Sequence, residues 1–478
     1  MRRPHSHGID MLAEHPIHAA SLPEQRHGQP ISVRRASGKA RRQNCPRASF
    51  AARGPAVPRA DPIDLLIANS QDRMESLAPI RYGRMMSSPF AFYRGAAAIM
   101  AYDQAHRPDS AIPIVISGDA HLMNFGGFRT PEQRLIFDIN DFDEASIAPW
   151  EWDVQRLATS FHIAATDNGL DKASRDEAAW SAARAYRRKM ARYAATPVLD
   201  AYYEYIDLSQ LVADTESGEL RRATFRQIAK ATQRDAADSE FAKMTHEIRD
   251  RPLIRNEPPL IFHMREIYEG VDFREWAEGL MARYRLNLAP ERRQLFDRFV
   301  LADVAMKVVG IGSVGTRCAV ALYMSGEEHP LFLQIKEARP SVLEPYAGAA
   351  PFEDAGERVV FCQRLMQAAS DVFLGPTQGP RRPFYVRQLR DAKVSLDVKI
   401  MNSENLVNYA KTCGWALARA HNRSGDAAML SGFMGRSDAF EDAMTGFARA
   451  YARQNEADHD ALTAAVRSGR VVARENLD

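Results

Sequence analysis

The sequence predicts an α+β protein with two lobes, one large and mostly helical, the other small and built on an antiparallel sheet. Helical spacing dominates residues 150–298 and returns after residue 396, whereas short apolar runs between turn signals are concentrated in residues 301–395. The 478 residues are too many for one ordinary core. We therefore predict a tail at 1–60, a helical lobe at 61–300, a sheet lobe at 301–395, and a helical segment at 396–478 that packs on the large lobe.

The first 60 residues differ in charge from the rest of the chain. They carry 11 Lys and Arg against 3 Asp and Glu, whereas residues 61–478 carry 52 against 58. Their Arg, Ser, His, Gly and Pro content predicts a disordered basic tail. Such a tail can touch nucleic acid or anionic lipid, but the folded part is mildly acidic, and neither nucleic acid nor a membrane is expected as a partner. No apolar run approaches the roughly 20 residues that span a bilayer.

The four cysteines are widely scattered and form no C-x-x-C pair; they are Cys45, Cys318, Cys362 and Cys413. Structural zinc and a disulfide framework are therefore not expected, and a reducing, cytoplasmic compartment fits the chain.

The individual elements follow from periodicity. Helices are predicted at about 90–104, 354–369 and 404–421, where apolar residues recur at helical spacing. Strands are predicted at 114–116, 134–137, 331–336 and 384–389, and a β-hairpin is predicted at 308–323 around a glycine-rich turn.

Polar residues able to do chemistry follow the first strand. The segment 118–124 reads G-D-A-H-L-M-N, which places Asp119, His121 and Asn124 within six positions. Asp119 could accept a proton from an attacking hydroxyl group, and Asn124 offers a hard oxygen suited to magnesium.

A second acidic cluster follows the next strand, with Asp138, Asp141 and Asp143 in six positions. Asp141 and Asp143 would share a face of an extended segment, which suits a divalent cation, and Asp138 is a further possible ligand. The alternative is a polar turn whose Asp side chains bond their own backbone.

The third feature is the G-I-G-S-V-G turn at 310–315, with Gly310, Gly312, Ser313 and Gly315. The residues after it look like a strand rather than a helix, which argues against a dinucleotide-binding turn and favours a hairpin that covers phosphates. Lys336 ends the next strand and is similar to the phosphate-pairing lysine of kinases.

These residues resemble known families. The G-D-x-H-x-x-N segment and the Asp141-Phe142 pair resemble the aminoglycoside phosphotransferase branch of the kinase-like superfamily. Nearly the whole chain from about residue 70 is similar to the bacterial domain of unknown function 2252 family. The matching segments are 84–95, 118–126, 140–144, 150–153, 333–338, 387–391 and 418–426. Ala148 departs from that pattern, since a glycine is expected there.

The resemblance implies a kinase-like, two-lobed fold in which the order of the parts is circularly permuted, and a phosphotransferase that uses ATP and Mg. It implies that Asp119 is the base, that Asn124 and Asp141 hold magnesium with Asp143 in reserve, and that Lys336 binds phosphate. The glycine-rich turn would cover the phosphates, and Glu357 on the following helix is the candidate for orienting Lys336.

Several roles stay open. His121 could bond the backbone or Asp141, or move a proton. Asp153 is expected to hold the catalytic loop by hydrogen bonds. Arg94, Arg387 and Arg390 could bind a phosphate or a carboxylate, or form core salt bridges.

Two other functions stay open beside phosphoryl transfer: a catalytically silent nucleotide-binding scaffold and a metal-dependent phosphoesterase. The phosphate acceptor and the oligomeric state are not predicted.

Overall fold

The computed structural model describes residues 28–51, 59–213, 241–248, 251–308, 310–348, 351–389, 394 and 396–474. Within these residues the helices are α1 Ile31–Ala40, α2 Pro62–Ser70, α3 Ala78–Met86, α4 Pro89–Gly95, α5 Ala97–Ala105, α6 Glu151–Asp167, α7 Lys172–Tyr193, α8 Val198–Tyr203, α9 Leu208–Ala213, α10 Phe273–Asn287, α11 Pro290–Phe296, α12 Glu344–Ala347, α13 Ala355–Met366, α14 Ser403–Ser424, α15 Ala427–Met434 and α16 Ala439–Arg467. Short 3₁₀ turns lie at Arg41–Gln43, Arg47–Ala51, Leu122–Asn124 and Val398–Ile400.

The strands are mostly short and pair in antiparallel fashion. They are β1 Pro113–Ile116, β2 Phe125–Arg129, β3 Leu135–Ile139, β4 Ser146–Pro149, β5 Ile206–Asp207, β6 Thr245–Ile248, β7 Arg251–Ile254, β8 Ile261–Phe262, β9 Glu266–Tyr268, β10 Val271–Asp272, β11 Phe299–Lys307, β12 Cys318–Ser325, β13 Pro330–Glu337, β14 Gly375–Gln378 and β15 Pro383–Gln388. The largest sheet has the order β14-β15-β13-β12-β11-β8, and a second has the order β2-β3-β5. The pairs β1-β4, β6-β7 and β9-β10 complete the set in the described part of the chain.

The buried apolar residues form two large cores. The first joins β1 to β4 with α6, α7, α14 and α15 through residues such as Val115, Phe161 and Leu417, and the elements around it are called the helical lobe below. The second joins the six-stranded sheet with α10 through Trp276 and Leu333, and the elements around it are called the sheet lobe. The α10 helix, on the helical side of the predicted boundary at residue 300, thus packs with the sheet, because its apolar face is buried there.

The predicted elements agree with the structure in most places. The strands at 331–336 and 384–389 and the helix at 404–421 correspond to β13, β15 and α14. The helix expected at 90–104 is two helices that meet at Ala96, whose backbone leaves the helical region. Residues 150–298, which the pattern predicts as helical, also contain the short strands β5 to β10. The sequence pattern does not predict these strands, because a strand of two to four residues is too short to give a periodic signal.

The predicted disordered tail is corrected over residues 28–51. The α1 helix lies against α15, and Arg42 and Arg47 donate hydrogen bonds of 2.5–2.6 Å to the carbonyl groups of Gly432, Phe433 and Met434. These carbonyls belong to the last turn of α15, where cations complement the negative end of the helix dipole. Some of the charges that predict disorder therefore anchor the segment. The other predicted tail residues, 1–27 and 52–58, lie outside the described residues.

Two general predictions can be compared with the structure. All four cysteines are buried and free. In the part of the chain that the structure describes, none of the helices combines the length and apolar character that membrane crossing requires.

Candidate functional site

Strand pairing brings the two acidic segments together. The β2-β3 hairpin pairs Phe125 with Ile139, so the residues just outside it are also adjacent, and the Asn140 amide donates to the Asn124 carbonyl at 2.8 Å. The β1-β4 pair sets Ile116 opposite Ser146, so the loop that begins at residue 117 lies beside the loop that ends at residue 145. The loops 117–124 and 140–145 therefore form one surface.

Gly118 is required where these loops touch. Its φ is +75°, a region that L side chains rarely adopt, and a Cβ atom there would lie 2.2 Å from the Glu144 carbonyl oxygen. Any larger residue would push the two loops apart.

The backbone before Asp119 is held by Asp153. The carboxylate of Asp153 accepts hydrogen bonds from the amides of Ser117 at 2.7 Å and Gly118 at 3.0 Å. His421 Nε2 lies 3.1 Å from the same carboxylate, and its Nδ1 lies 2.9 Å from the Tyr186 hydroxyl. The predicted loop-holding role of Asp153 is confirmed, and so is the packing of the helix at 404–421 beside this loop.

Asp119 lies at the edge of a buried arginine. Its side chain is 18% exposed, and Arg156 Nε donates to Asp119 Oδ1 at 2.5 Å. Arg156 Nη2 also donates to the Tyr93 carbonyl at 2.9 Å. Burial raises the pKa of Asp119, and the opposing charge of Arg156 does not cancel that rise.

His121 is buried beside Asp119. Its Nε2 lies 3.8 Å from Asp119 Oδ2, so Asp119 rather than Asp141 is its acidic neighbour. Burial, followed by the nearby charges of Arg94 and Arg156, lowers the pKa of His121 well below its ordinary value. The ring is therefore neutral at physiological pH.

Asn124 turns its amide inward. Its Nδ2 donates to the Asp119 carbonyl at 2.8 Å. This bond fixes which end of the side chain is the donor, so the carboxamide oxygen is the end that a cation could use.

Asp143 is where the acidic loop meets the six-stranded sheet and the glycine-rich turn. Lys336 Nζ and the Tyr385 hydroxyl each donate to its carboxylate at 2.6 Å, and the Ser313 hydroxyl donates at 3.2 Å. Lys336 and Tyr385 are directly opposite each other on β13 and β15, so both side chains leave the same face of the sheet. The glycine-rich turn, the lysine and the acidic loop thus converge on one carboxylate.

The charged groups at this junction change one another's pKa. Burial alone would raise the pKa of Asp143, but Lys336 and Tyr385 reverse that effect and lower it to about 2. Burial alone would lower the pKa of Lys336, but Asp143 raises it above its ordinary value. Asp141, which accepts a 3.2 Å bond from the Asp143 amide, has a raised pKa because it is buried and lies beside Asp143.

Asp138 faces away from this junction. It is fully buried in an ion pair with Arg419 at 2.6 Å, and it accepts the Ala368 amide at 2.8 Å. This carboxylate joins β3 to the helical core and is not placed to share a cation with Asp141.

The glycine-rich turn connects β11 to β12 and is held by arginines. Arg73 donates to the carbonyls of Gly312 and Val314 at 2.8 and 2.6 Å, and Arg84 donates to Gly310 at 2.6 Å. Gly315 has a φ of +87°, and a Cβ atom there would lie 3.0 Å from the Arg73 side chain. The turn is thus tied to the α2–α3 region.

A small cleft lies under this turn. Its lining residues come from both lobes and are Asn69, Arg73, Asp143, Glu144, Gly312, Ser313, Thr316, Glu337, Ala338, Arg339 and Pro340. Charged groups of both signs line it, as expected for a site that binds a polar ligand.

Glu357 lies in the first turn of α13, where its amide donates to Asp354. The carboxylate bonded to Lys336 is that of Asp143, and an orienting role for Glu357 stays a prediction. The next residue, Arg358, is fully buried and donates to the carbonyls of Asp143 and Ala145. Through Arg358, α13 holds the acidic loop.

Sequence reasoning missed four residues of the site: Arg73, Arg156, Arg358 and Tyr385. A signal exists for Arg156 and Arg358, since each is a charged residue inside an otherwise buried helical stretch. The pattern around Tyr385 predicts a strand and no more.

The structure gives different surroundings for the three arginines whose roles the sequence leaves open. Arg387 donates to Gln334 at 2.9 Å, and Arg390 lies outside the described residues. Arg94 is in the last turn of α4, at the edge of the site.

The arrangement offers a lysine, a glycine-rich turn, two neighbouring carboxylates and a third carboxylate beside a neutral histidine. Among the residues that the structure describes, no group of three or more His, Cys, Asp or Glu side chains could hold a metal ion. A cation here would therefore need oxygen ligands from its substrate or from water, which is how magnesium usually binds.

Comparison with known proteins gives a family match. A family model described as "Uncharacterized protein conserved in bacteria (DUF2252)" matches residues 73–465. No curated protein matches the chain, and no solved structure does.

Proposed function

The chain belongs to this DUF2252 family of uncharacterised bacterial proteins, and we propose that it is a kinase-like phosphotransferase that uses ATP and magnesium. The observation that carries the proposal is the meeting of Ser313 and Lys336 with Asp143. These two residues are 170 and 193 positions from Asp143 in sequence. A glycine-rich turn, a lysine and a metal-binding carboxylate are the parts that kinases assemble around nucleotide phosphates.

The proposed fold is a circular permutation of the kinase order, with the catalytic loop before the glycine-rich turn. Contacts of α14 support it, because this helix lies near the end of the chain and packs on the early loop. The Tyr409 hydroxyl donates to the Leu122 carbonyl at 2.9 Å, and His421 bonds Asp153. Such a rearrangement is tolerated where the original termini lie close together.

The residues present fit magnesium. Asp141 and the Asn124 carboxamide oxygen would hold it, with Asp143 as a further ligand. Burial and the neighbouring charge of Asp143 raise the pKa of Asp141, and a cation would relieve the repulsion between these two carboxylates. When bound, magnesium supplies positive charge to the phosphate oxygens.

The chain's own residues would then position the reactants. An acceptor hydroxyl oxygen forms a bond to the γ-phosphorus of ATP, the bond from that phosphorus to the bridging oxygen breaks, and ADP leaves. The hydroxyl proton passes to Asp119, whose Oδ2 is the oxygen not bonded by Arg156. Positioning and charge stabilisation supply most of the rate in such reactions.

One observation favours a second function, a catalytically silent nucleotide-binding scaffold. Arg156 bonds Asp119 Oδ1 at 2.5 Å, so one of the two carboxylate oxygens is already occupied and only Oδ2 could accept a proton from a substrate. The phosphoesterase alternative has no comparable support, because such sites need more carboxylate and histidine ligands than this loop pair supplies.

The test is magnesium-dependent ATP binding and turnover by the full chain and its variants. Asp141→Ala and Lys336→Ala should each lower turnover at least about a hundredfold, and Lys411→Ala, at an exposed position on α14, should leave it unchanged. Lys336→Ala leaves the Asp143 carboxylate without its ion-pair partner, which could itself disturb folding. The double variant Lys336→Met/Asp143→Asn removes both charges together, so a loss of ATP binding in this variant is not caused by an unpaired Asp143.

The phosphotransferase, the scaffold and the phosphoesterase predict different results in this assay. Equal thermal stabilisation of wild type, Asp141→Ala and Lys336→Ala by Mg-ATP would contradict the proposal. Tight binding without turnover on any acceptor would favour the scaffold, and magnesium-dependent hydrolysis of a simple phosphoester without ATP would favour the phosphoesterase.

A further inference from the structure

Arg94 lies where the helical lobe touches both the glycine-rich turn and the Asp119 loop. A Cβ atom placed on Gly312 would be 4.0 Å from the Arg94 carbonyl oxygen. The carbonyl of the neighbouring Tyr93 accepts a hydrogen bond from Arg156, which in turn bonds Asp119. The end of α4 is therefore fixed between the two loops.

The other arginines of this region have protein partners. Arg73 and Arg84 donate to carbonyls of the glycine-rich turn, Arg81 donates to the Gly95 carbonyl at 2.9 Å, and Arg156 bonds Asp119. Each of these guanidinium groups is used to hold backbone or a carboxylate.

The Nε atoms of Arg81 and Arg94 are both buried without a hydrogen-bond partner among the described residues. Arg81 uses its other nitrogens on protein oxygens, whereas Arg94 lies within range of the Asp119 charge. The Asp119 carboxylate, however, is bonded by Arg156. A buried guanidinium nitrogen without a partner is costly, so an anionic ligand at this point would complete its hydrogen bonds.

We propose that Arg94 binds a phosphoryl group beside Asp119, and so is a substrate-binding residue of this site. A guanidinium group matches phosphate oxygens with two parallel hydrogen bonds, and an arginine near the transferred group stabilises its charge in phosphoryl transfer. Arg94 makes and breaks no covalent bond. The identity of the group as the γ-phosphoryl of ATP rests on the proposed function, whereas anion binding at Arg94 does not.

The test compares Arg94→Gln and Arg94→Lys with wild type. In wild type the ratio of ATP to ADP affinity reports contacts to the third phosphate. Arg94→Gln should lower ATP affinity about tenfold, leave ADP affinity within about twofold, and lower turnover at least about a hundredfold. Arg94→Lys keeps the charge and should recover part of the ATP affinity.

A matched control is Arg184→Gln. The Nε of Arg184 is also buried without a partner among the described residues, but its guanidinium lies 4.5 Å from the Trp180 ring centroid, so neither affinity should change. An unchanged ratio of ATP to ADP affinity in a folded Arg94→Gln variant would overturn the assignment.

Inorganic phosphate separates this inference from the proposed function. If wild type binds neither ATP nor ADP, the proposed function fails, and phosphate titration then decides on Arg94 alone. Phosphate binding that is lost in Arg94→Gln and kept in Arg184→Gln supports the anion site. No phosphate binding by wild type, or equal binding by Arg94→Gln, overturns it.

Discussion

Four of the five aspartates from residue 119 to residue 153 divide into a closed pair and an open pair. Asp138 and Asp153 form the closed pair, with side chains 0% and 1% exposed. Asp119 and Asp143 form the open pair, with side chains 18% and 27% exposed. The two pairs alternate along the chain, so position in the sequence does not separate them.

Their partners explain the difference. The closed pair is bonded by Arg419 and His421, two residues of the single helix α14, and each closed carboxylate also accepts backbone amides. The open pair is bonded by Arg156 and Lys336, which come from two separate elements, α6 and β13. The closed pair therefore fixes the two segments to the core, and the open pair is left where a ligand can reach it.

The largest expected effect comes from the closed pair. Asp138→Asn leaves Arg419 charged in a fully buried place and should lower the free energy of unfolding by about 3–5 kcal/mol. Asp119→Asn also leaves a buried arginine, Arg156, without its ion-pair partner, but the Asp119 carboxylate is 18% exposed. Water can reach this position, so the loss should be smaller, about 1–2 kcal/mol. Urea unfolding at neutral pH measures both.

Turnover should be affected more by Asp119→Asn than by Asp138→Asn, which is the opposite of the order expected for stability. Asp119→Asn should abolish turnover, and Asp138→Asn should keep it at temperatures where the variant is folded. Equal losses of stability in the two variants would remove the distinction between the pairs.

A second prediction extends the comparison to a buried carboxyl group that is held by Ser110 rather than by a cation. Burial raises the pKa of Glu151 to about 7, although hydrogen bonds from Ser110 oppose the rise. Since the unfolded chain loses this proton near pH 4.5, the folded state should lose about 3 kcal/mol of stability as pH rises from about 4.5 to about 7. The difference in unfolding free energy between wild type and Glu151→Gln, measured across this range, should show the change. A difference that does not vary with pH would mean that Glu151 is ionised in the folded protein.

The third prediction concerns Asp143 of the open pair, where stability is lost as the pH falls rather than as it rises. The pKa of Asp143 is lowered to about 2 from an ordinary value of 3.8, so its ion pair stabilises the folded state above about pH 4. This contribution, about 2 kcal/mol, should disappear as pH falls from about 4 to about 2. Acid titration of wild type beside Asp143→Asn, followed by circular dichroism, measures it. A variant as acid-sensitive as wild type would contradict the assigned ion pair.

The same comparison shows what the sequence can predict. Local spacing predicts β13, β15 and α14, and the polar segments after strands predict the acidic loops. The closed or open state of each aspartate does not follow from local spacing, because three of the four have partners 193 to 281 residues away. These distant partners are Lys336 for Asp143, His421 for Asp153 and Arg419 for Asp138.

Other differences from the sequence predictions have the same physical origin. The order of β-strand pairing that sets Tyr385 opposite Lys336 is a property of the sheet and not of either strand alone. The anchoring of α1 depends on carbonyls at the far end of the chain, so composition alone predicts disorder there.

The smallest expected effect tests whether the glycine-rich turn binds its ligand through side chains or through its backbone. The Ser313 hydroxyl donates to Asp143 at 3.2 Å, a long bond at a partly exposed carboxylate that already has two shorter ones. Ser313→Ala should therefore change the free energy of unfolding by less than about 0.5 kcal/mol. ATP affinity should fall no more than about threefold, since a turn that covers phosphates acts mainly through its backbone amides.

Thr316→Val is the matched control for this prediction, because the Thr316 hydroxyl donates to the Ser313 carbonyl within the same turn at 2.8 Å rather than to Asp143. Isothermal titration with Mg-ATP compares the two variants with wild type. A loss of ATP affinity of about tenfold, or about 1.4 kcal/mol, in Ser313→Ala alone would place the hydroxyl on the nucleotide. In that case the Ser313 hydroxyl would change its hydrogen-bond partner from Asp143 to the nucleotide when the nucleotide binds.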